Sequence, residues 1–401
     1  MKNILLILTC LFLAVPSQAE IIIVDEDWPY DFDNIQAAID DSNDGDIIVV
    51  FPGTYTGPGN YDIAIDGKSI TVQSVDPQDP YIVAATVIDC NNLGHGFYIQ
   101  GDIGTNTVID GLKIINSHEY RAAIKCQGAA DALEESTFTI SNCNINNNDS
   151  SFGRGCTSGG ISIMDGIYFI NNCTISNNLS DYGGGIYCGY NSRPTITNCT
   201  IMRNTAYFGG GGIYCEASNP TITNCTITDN GAAHPFGVPA YGGGIYADSE
   251  SKLTINHSRI TANYANESGG AIYSGGTGSV LNSRIIGNTA GLFGGAVHCA
   301  GSSFRINNCS ITENIAGDIA GGIYGDNYSA VQLTNSILWA NSDSNGISQS
   351  AQFHTLLPLS FQDGRLDILY NCIQDDDPHD SNVPFDDLNA SNIDDLSLIH
   401  I

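Results

Sequence analysis

The chain is 401 residues long, 42% hydrophobic and only 14% charged, and its 13 Lys and Arg stand against 43 Asp and Glu, a formal net charge of −30. That balance excludes a nucleic acid held through its phosphates. It disfavours a polyanionic substrate less strictly, because calcium can bridge two anions, and it suits a soluble outer face.

Residues 1–19 open with Lys2, run through an apolar stretch over 4–15 and end on Ser17-Gln18-Ala19. This is the plan of a secretory signal cut after Ala19, so the expected location is outside the cell, secreted or at its surface. The stretch is too short to span a membrane and no other apolar run is long enough, so no transmembrane helix is expected.

Residues 20–135 read as a less regular beginning. Asp33 is placed to cap a helix with Gln36 at the capping-box position, and Ile35, Ala38 and Ile39 give that helix one apolar face. A strand over 46–51 and the turn Pro52-Gly53-Thr54-Tyr55 follow. A short amphipathic helix here would cover the exposed first edge of a stacked structure. Residues 108–114 form a degenerate copy of the unit that comes next.

Over residues 136–341 the phrase Ile-Thr-Asn-Cys-Thr-Ile recurs. With its Cys as position zero, the copies fall at Cys143, Cys173, Cys199, Cys225, Ser258, Ser283, Cys309 and Ser336, in steps of 30, 26, 26, 33, 25, 26 and 27 residues. A period of this size means stacked repeats. Aliphatic side chains occupy position minus three (Ile140 through Leu333) and plus two (Ile145 through Leu338) in every copy. A straight strand alternates with period two, so a spacing of three and then two requires one bend. The residue before zero is Asn in all copies but His257, and Asn suits a left-handed corner. Another Asn stands at plus five in all eight copies, Asn148 through Asn341. Identical amides at identical coil positions can hydrogen-bond along the stack. A Gly-Gly-Ile-Tyr-Cys-like stretch completes the unit. Each unit thus offers about three short strands and three corners, one coil of a parallel β-solenoid.

The period also explains motifs that would otherwise mislead. Asn172, Asn198, Asn224 and Asn308 head Asn-Cys-Thr or Asn-Cys-Ser sequons, but they are corner residues and need no glycan to account for them. Most cysteines fill slots that take Ser, Ala or Gly in other coils, so stacked, buried free thiols are expected rather than disulfides. No CxxC pair calls for zinc. Residues 342–395 read as an irregular last coil and an acidic tail. The final Leu396-Ser397-Leu398-Ile399-His400-Ile401 fits nothing before it and has the look of a translated sequencing artefact.

Asn34-Ile35-Gln36-Ala37-Ala38-Ile39, Gly45-Asp46 and Pro52-Gly53-Thr54-Tyr55, followed by these coils, resemble the right-handed β-helix proteins of the pectin lyase-like superfamily. Asn288 to Val297 and Asn204 to Ile213 are similar to the repeats of chlamydial polymorphic outer-membrane proteins. The resemblance implies an all-β, right-handed parallel β-helix with a short N-terminal cap helix. It leaves activity open, because many functions share this scaffold. Gly94-His95-Gly96 matches a short polygalacturonase motif, but the accompanying paired-Asp and Arg-x-Lys motifs are missing, and it reads as a loop.

Outward positions plus one and minus two hold no carboxylate in the eight copies, whereas glycoside hydrolysis normally needs two. Catalytic residues are therefore not assigned. The candidate binding residues fall in three groups. Tyr187, Tyr214, Tyr246, Tyr273 and Tyr324, with His298 in the fifth of six places, form an outward stripe that either stabilises neighbouring strands or presents rigid rings to a ligand. Arg259 stands above Arg284 one coil on, holding an anion or relieved by acidic surroundings. The two longest loops between ladder Asn and Gly-Gly carry Arg154, and His234 with Phe236, beside the stripe in sequence. No metal site is assigned and no cofactor is expected. The acidic runs at 25–27, 40–44 and 375–377 offer oxygen ligands for Ca²⁺, without EF-hand spacing. Two function classes remain: a secreted or surface protein that contacts polysaccharide without catalysis, as in adhesion, and a polysaccharide lyase or glycoside hydrolase.

Overall fold

A computed structural model describes residues 19–26, 31–101, 105–118, 121–128, 136–151, 158–326, 328–355, 367–369 and 371–374. The signal-like start, Arg154 with its loop, the acidic run 375–377 and the last six residues lie outside them. Among the described residues four sheets stand side by side, of 13, 12, 6 and 11 strands, each strand paired with its counterpart one coil before and after. One coil shows the plan: Ser192–Thr197 in the first sheet, Thr200–Met202 in the second, Thr205–Gly209 in the third and Ile213–Cys215 in the fourth. Among the described residues every strand-to-strand pairing within the sheets is parallel, and the register follows the repeat apart from a shift between Ser180 and Tyr182 in the third sheet. Ile196 lies between Ile170 and Ile222, and Ile201 between Ile175 and Ile227. These β-branched rows are fully buried and form one continuous core.

The bend falls where the spacing puts it. Asn142, Asn172, Asn198, Asn224, Asn282, Asn308, Asn335 and His257 all have φ between +47° and +55°. The corner amides also link coils, Asn224 Nδ2 donating to Asn198 Oδ1 at 2.7 Å and Asn308 Nδ2 to Asn282 Oδ1 at 2.7 Å. The degenerate coil is real: Asn106–Asp110 and Lys113–Ile115 are strands, with Gly111 at the bend, φ +66°.

The plus-five amides form the expected ladder. Asn204 Nδ2 donates to Asn230 Oδ1 (3.0 Å) and to Ile175 O (2.9 Å), while its Oδ1 accepts from Asn178 N (3.1 Å) and Asn178 Nδ2 (2.9 Å). All eight ladder residues are buried. At one end Ser117 N donates to Asn148 Oδ1. At the other, Asn341 Nδ2 donates to Oε1 of Gln352 at 2.7 Å, and Gln352 Nε2 returns a bond to Asn341 O. Gln352 sits on a short helix, Gln349–Gln352, that the repeat pattern does not announce.

The third sheet corrects the expectation of three strands per coil. It is two to five residues deep, and Ala206, Ala232, Ala265, Ala290 and Ala316 are its buried side. Two-residue strands are too short to show a period.

The N-terminal helix α1 spans Ile35–Asp41 and buries Ile35, Ala38 and Ile39. Its cap is Asn34, whose Oδ1 accepts Ala37 N at 2.9 Å; Asp33 lies one residue too early. Gln36 makes no capping box. Its amide instead bonds Ala64 on the strand Ile63–Asp66, accepting from N at 2.7 Å and donating to O at 3.1 Å.

The eleven described cysteines are buried thiols, and no disulfide joins them. Cys199 Sγ donates to the carbonyls of Thr197 (3.2 Å) and Ile170 (3.5 Å). Burial pushes the thiols of Cys90 and Cys299 up to about 12, which keeps them un-ionised and inert near neutrality.

Candidate functional site

On the fourth sheet the Ile and Cys slots face the core, so the residue between them faces outward, as expected. The register runs Tyr187, Tyr214, Tyr246, Tyr273, His298 and Tyr324, and continues to His354. The rings stack along the coil axis: Tyr187 on Tyr214 at 5.7 Å and 8°, Tyr214 on Tyr246 at 4.5 Å and 9°, Tyr246 on Tyr273 at 5.2 Å and 1°. Strand spacing enforces this, since rings on adjacent parallel strands sit about one ring thickness plus an offset apart.

Two features correct the picture of a free stripe. The ring faces are occupied by their neighbours, so a sugar meets edges rather than faces. A second aromatic row, reached from the third sheet and its continuation, also packs across the stripe. Tyr182 meets Tyr214 at 5.1 Å, Tyr241 meets Tyr273 at 5.0 Å and Phe293 meets Tyr324 at 4.9 Å, each one coil ahead of its own. Phe293 covers His298 and Tyr324, which are buried; Tyr187 is buried as well, and Tyr214, Tyr246 and Tyr273 are half-buried. His298 stands at 67° to Tyr273 and 89° to Tyr324, and neither of its ring nitrogens has a hydrogen-bond partner. Its Nε2 is 3.9 Å from Asp326, too far for a hydrogen bond.

Burial holds the phenols of Tyr187, Tyr214 and Tyr273 above the usual value of 10.0, with Glu216 adding to the effect at Tyr187. The folded chain therefore keeps protons that the unfolded chain releases above pH 10. Stability is fully present below the unfolded value and falls as pH rises past it towards the folded one. Melting temperatures taken between about pH 9 and 12 should drop with this sign, and Tyr214→Phe should flatten the slope.

The loop after Asn230 joins this surface. His234 lies 5.6 Å from Tyr207, 5.1 Å from Phe208 and 5.6 Å from Phe236, ring to ring. Phe208 in turn stacks on Tyr182 at 5.2 Å. The patch is thus continuous from the Tyr ladder to the tip of the loop, where Phe236 is 88% exposed. On the opposite rim the half-exposed Tyr190 donates its hydroxyl to Glu216 at 2.6 Å, and Tyr187 donates to the same carboxylate. Glu216 follows the Cys slot of its coil, and Asp248 and Asp326 occupy the equivalent place in theirs. Asp248 and Asp326 accept backbone N–H bonds from Ala217 and Gly301, which makes them turn supports.

Arg259 and Arg284 are in register on the second sheet and exposed. They do not share a face with the tyrosines, so the structure divides the sequence-predicted residues between two surfaces. Arg154 lies outside the described residues. The loop reading of Gly94-His95-Gly96 agrees with the structure. His95 N donates to Asp62, its Nδ1 pairs with Ala122 O at 2.7 Å, and burial lowers its pKa. Arg121 closes the cluster by an ion pair with Asp62. Among the described residues no group of three or more His, Cys, Asp or Glu is arranged to hold a metal. Nor is any described helix long and apolar enough to cross a membrane.

Comparison with known proteins adds the following. Among solved structures the chain is similar to one described as the crystal structure of pectate lyase Pel9A, at 17% identity and a TM-score of 0.39, over 91% of this chain and 82% of that one. It is also similar to Geobacillus virus E2 ORF18, at 13% identity and a TM-score of 0.35, over 77% of this chain and 56% of that one. No curated protein matches it. The family described as right handed beta helix region matches residues 81–289, more than half of the chain. With its parallel coils and in-register ladders, the chain belongs to the right-handed β-helix family.

Proposed function

We propose that this protein works outside the cell as a non-catalytic surface that contacts polysaccharide, through the aromatic patch that runs from the loop after Asn230 to Tyr190. The observation that carries the reading is Phe236. It is a large apolar ring, 88% exposed, held at the edge of a contiguous aromatic cluster rather than isolated. Such a ring offers a face to the C–H side of a sugar, and the cluster beneath limits the entropy lost on binding. The buried ladder serves as the rigid base, and the contact residues are Phe236, His234, Tyr207 and Tyr190. The signal-like residues 1–19 support an extracellular setting, and burial of the thiols suits an oxidising one.

Titration with a panel of neutral and pectic oligosaccharides tests this. Phe236→Ala should weaken binding about tenfold, the scale of one well-placed ring. Unchanged affinity in that variant, or release of reducing or unsaturated ends by the wild-type protein, would overturn the reading.

A further inference from the structure

The acidity of the chain is not evenly spread. Residues 251–312 hold four of its 13 cations (Lys252, Arg259, Arg284, Arg305) and one of its 43 acids (Glu267). The segment is net +3, so the rest of the chain is −33. All four cations are exposed. Lys252 and Arg305 lie on first-sheet strands, Arg259 and Arg284 on adjoining second-sheet strands. The ion pair Arg121–Asp62 and the contact His298–Asp326 involve none of this group. Among the described residues no carboxylate lies within 4.0 Å of Arg259 or Arg284. The two arginines stand side by side on paired strands about 4.8 Å apart.

Beside them, at the corner between the first and second sheets, is an open cleft of about 400 Å³. His257, Asn282, Ser283, Arg284, Asn308 and Ser310 line it. It combines amides, hydroxyls and an imidazole with a cation beside Cys309 and Ile337, and no Phe, Tyr or Trp lines it. A nucleic acid would want stacking rings and a long cationic track. The −33 elsewhere also repels any long polyanion beyond the patch.

We propose that this corner binds an acidic oligosaccharide, with Arg259 and Arg284 gripping a sulfate or carboxylate and the cleft side chains meeting its hydroxyls. Guanidinium groups suit such oxyanions because their donors are fixed in a plane. The ligand class rests on the polysaccharide reading above, but the site is on a different face from the aromatic patch, so the two fail separately.

The test is calorimetric titration of the full chain with a sulfated tetrasaccharide, a uronate tetrasaccharide, inorganic sulfate and a twelve-nucleotide oligothymidine. One acidic tetrasaccharide should bind, with affinity falling as salt is raised. Arg259→Ala with Arg284→Ala should weaken it at least tenfold, Arg259→Lys with Arg284→Lys by less, and Phe236→Ala should leave it unchanged. The proposal is overturned if the double alanine variant binds as the wild type does, if inorganic sulfate binds as tightly as the sugar, or if the oligothymidine binds more tightly. Loss of binding on Phe236→Ala alone would return acidic sugars to the aromatic face.

Discussion

Asn204→Ala is expected to destabilise the protein by about 4 kcal/mol, several times the cost of an average substitution. The side chain is fully buried and makes four hydrogen bonds, two given and two received. Alanine would strand the Asn178 N–H and one Asn178 amide proton in the core and take one of the donors from the Ile175 carbonyl. Each orphaned group costs about 1–3 kcal/mol. Asn204→Asp should be at least as harmful, since it keeps the acceptor but removes both donor bonds and buries a charge. Urea unfolding followed by circular dichroism measures both. A loss below about 1 kcal/mol for the alanine variant would mean the ladder contributes register rather than stability.

Gly211→Ala should cost at least about 3 kcal/mol, while Gly212→Ala, one residue on, should cost about 1 kcal/mol. A Cβ on Gly211 would lie 2.4 Å from Gly231 O and 2.5 Å from Gly243 O, both rigid backbone atoms of neighbouring strands and corners. The same first place is glycine in seven coils, from Gly159 to Gly321, and a Cβ there would meet a carbonyl oxygen at 2.2–2.7 Å each time. The second place looks almost as tight, at 2.6 Å from Gly244 O for Gly212. Yet Ala271 and Ala296 occupy it two and three coils on, buried and in register. The fold therefore accommodates a methyl at the second place, whereas the first is glycine in all seven of these coils. Equal melting temperatures for the two variants would contradict this.

The repeat makes most of the architecture legible in the sequence. Inward rows, the Asn corner, the amide ladder and the buried thiols all occupy fixed places in the period, and at each the residue type changes little from coil to coil. What stayed hidden lacks that constancy. The second corner, four residues past zero, has φ near +55° at Asn177, Arg203, Asp229 and Ala262 alike. Its conformation is imposed by the coils around it, not chosen by the side chain. The second aromatic row alternates Tyr182, Gly209, Tyr241, Ser268, Phe293 and Ile319 in register, so no residue type marks it. Alternation told which side of the sheet the tyrosines occupy, but not that other rings lie across them. Loop length marks His234 and Phe236 in the sequence, whereas their contact with Tyr207 and Phe208 depends on the third sheet, which no period marks.

The amide ladder also has a meaning for how such a chain changes length. Every interior rung sees the same two neighbours, so a coil is an interchangeable part. A recombination event that adds or removes one whole coil rejoins Asn to Asn and orphans nothing. A cut that falls within a coil breaks the row. Only the terminal partners, Ser117 and Gln352, are unique. A solenoid built this way can lengthen or shorten in steps of about 26 residues, with Gln352 left to close the amide row.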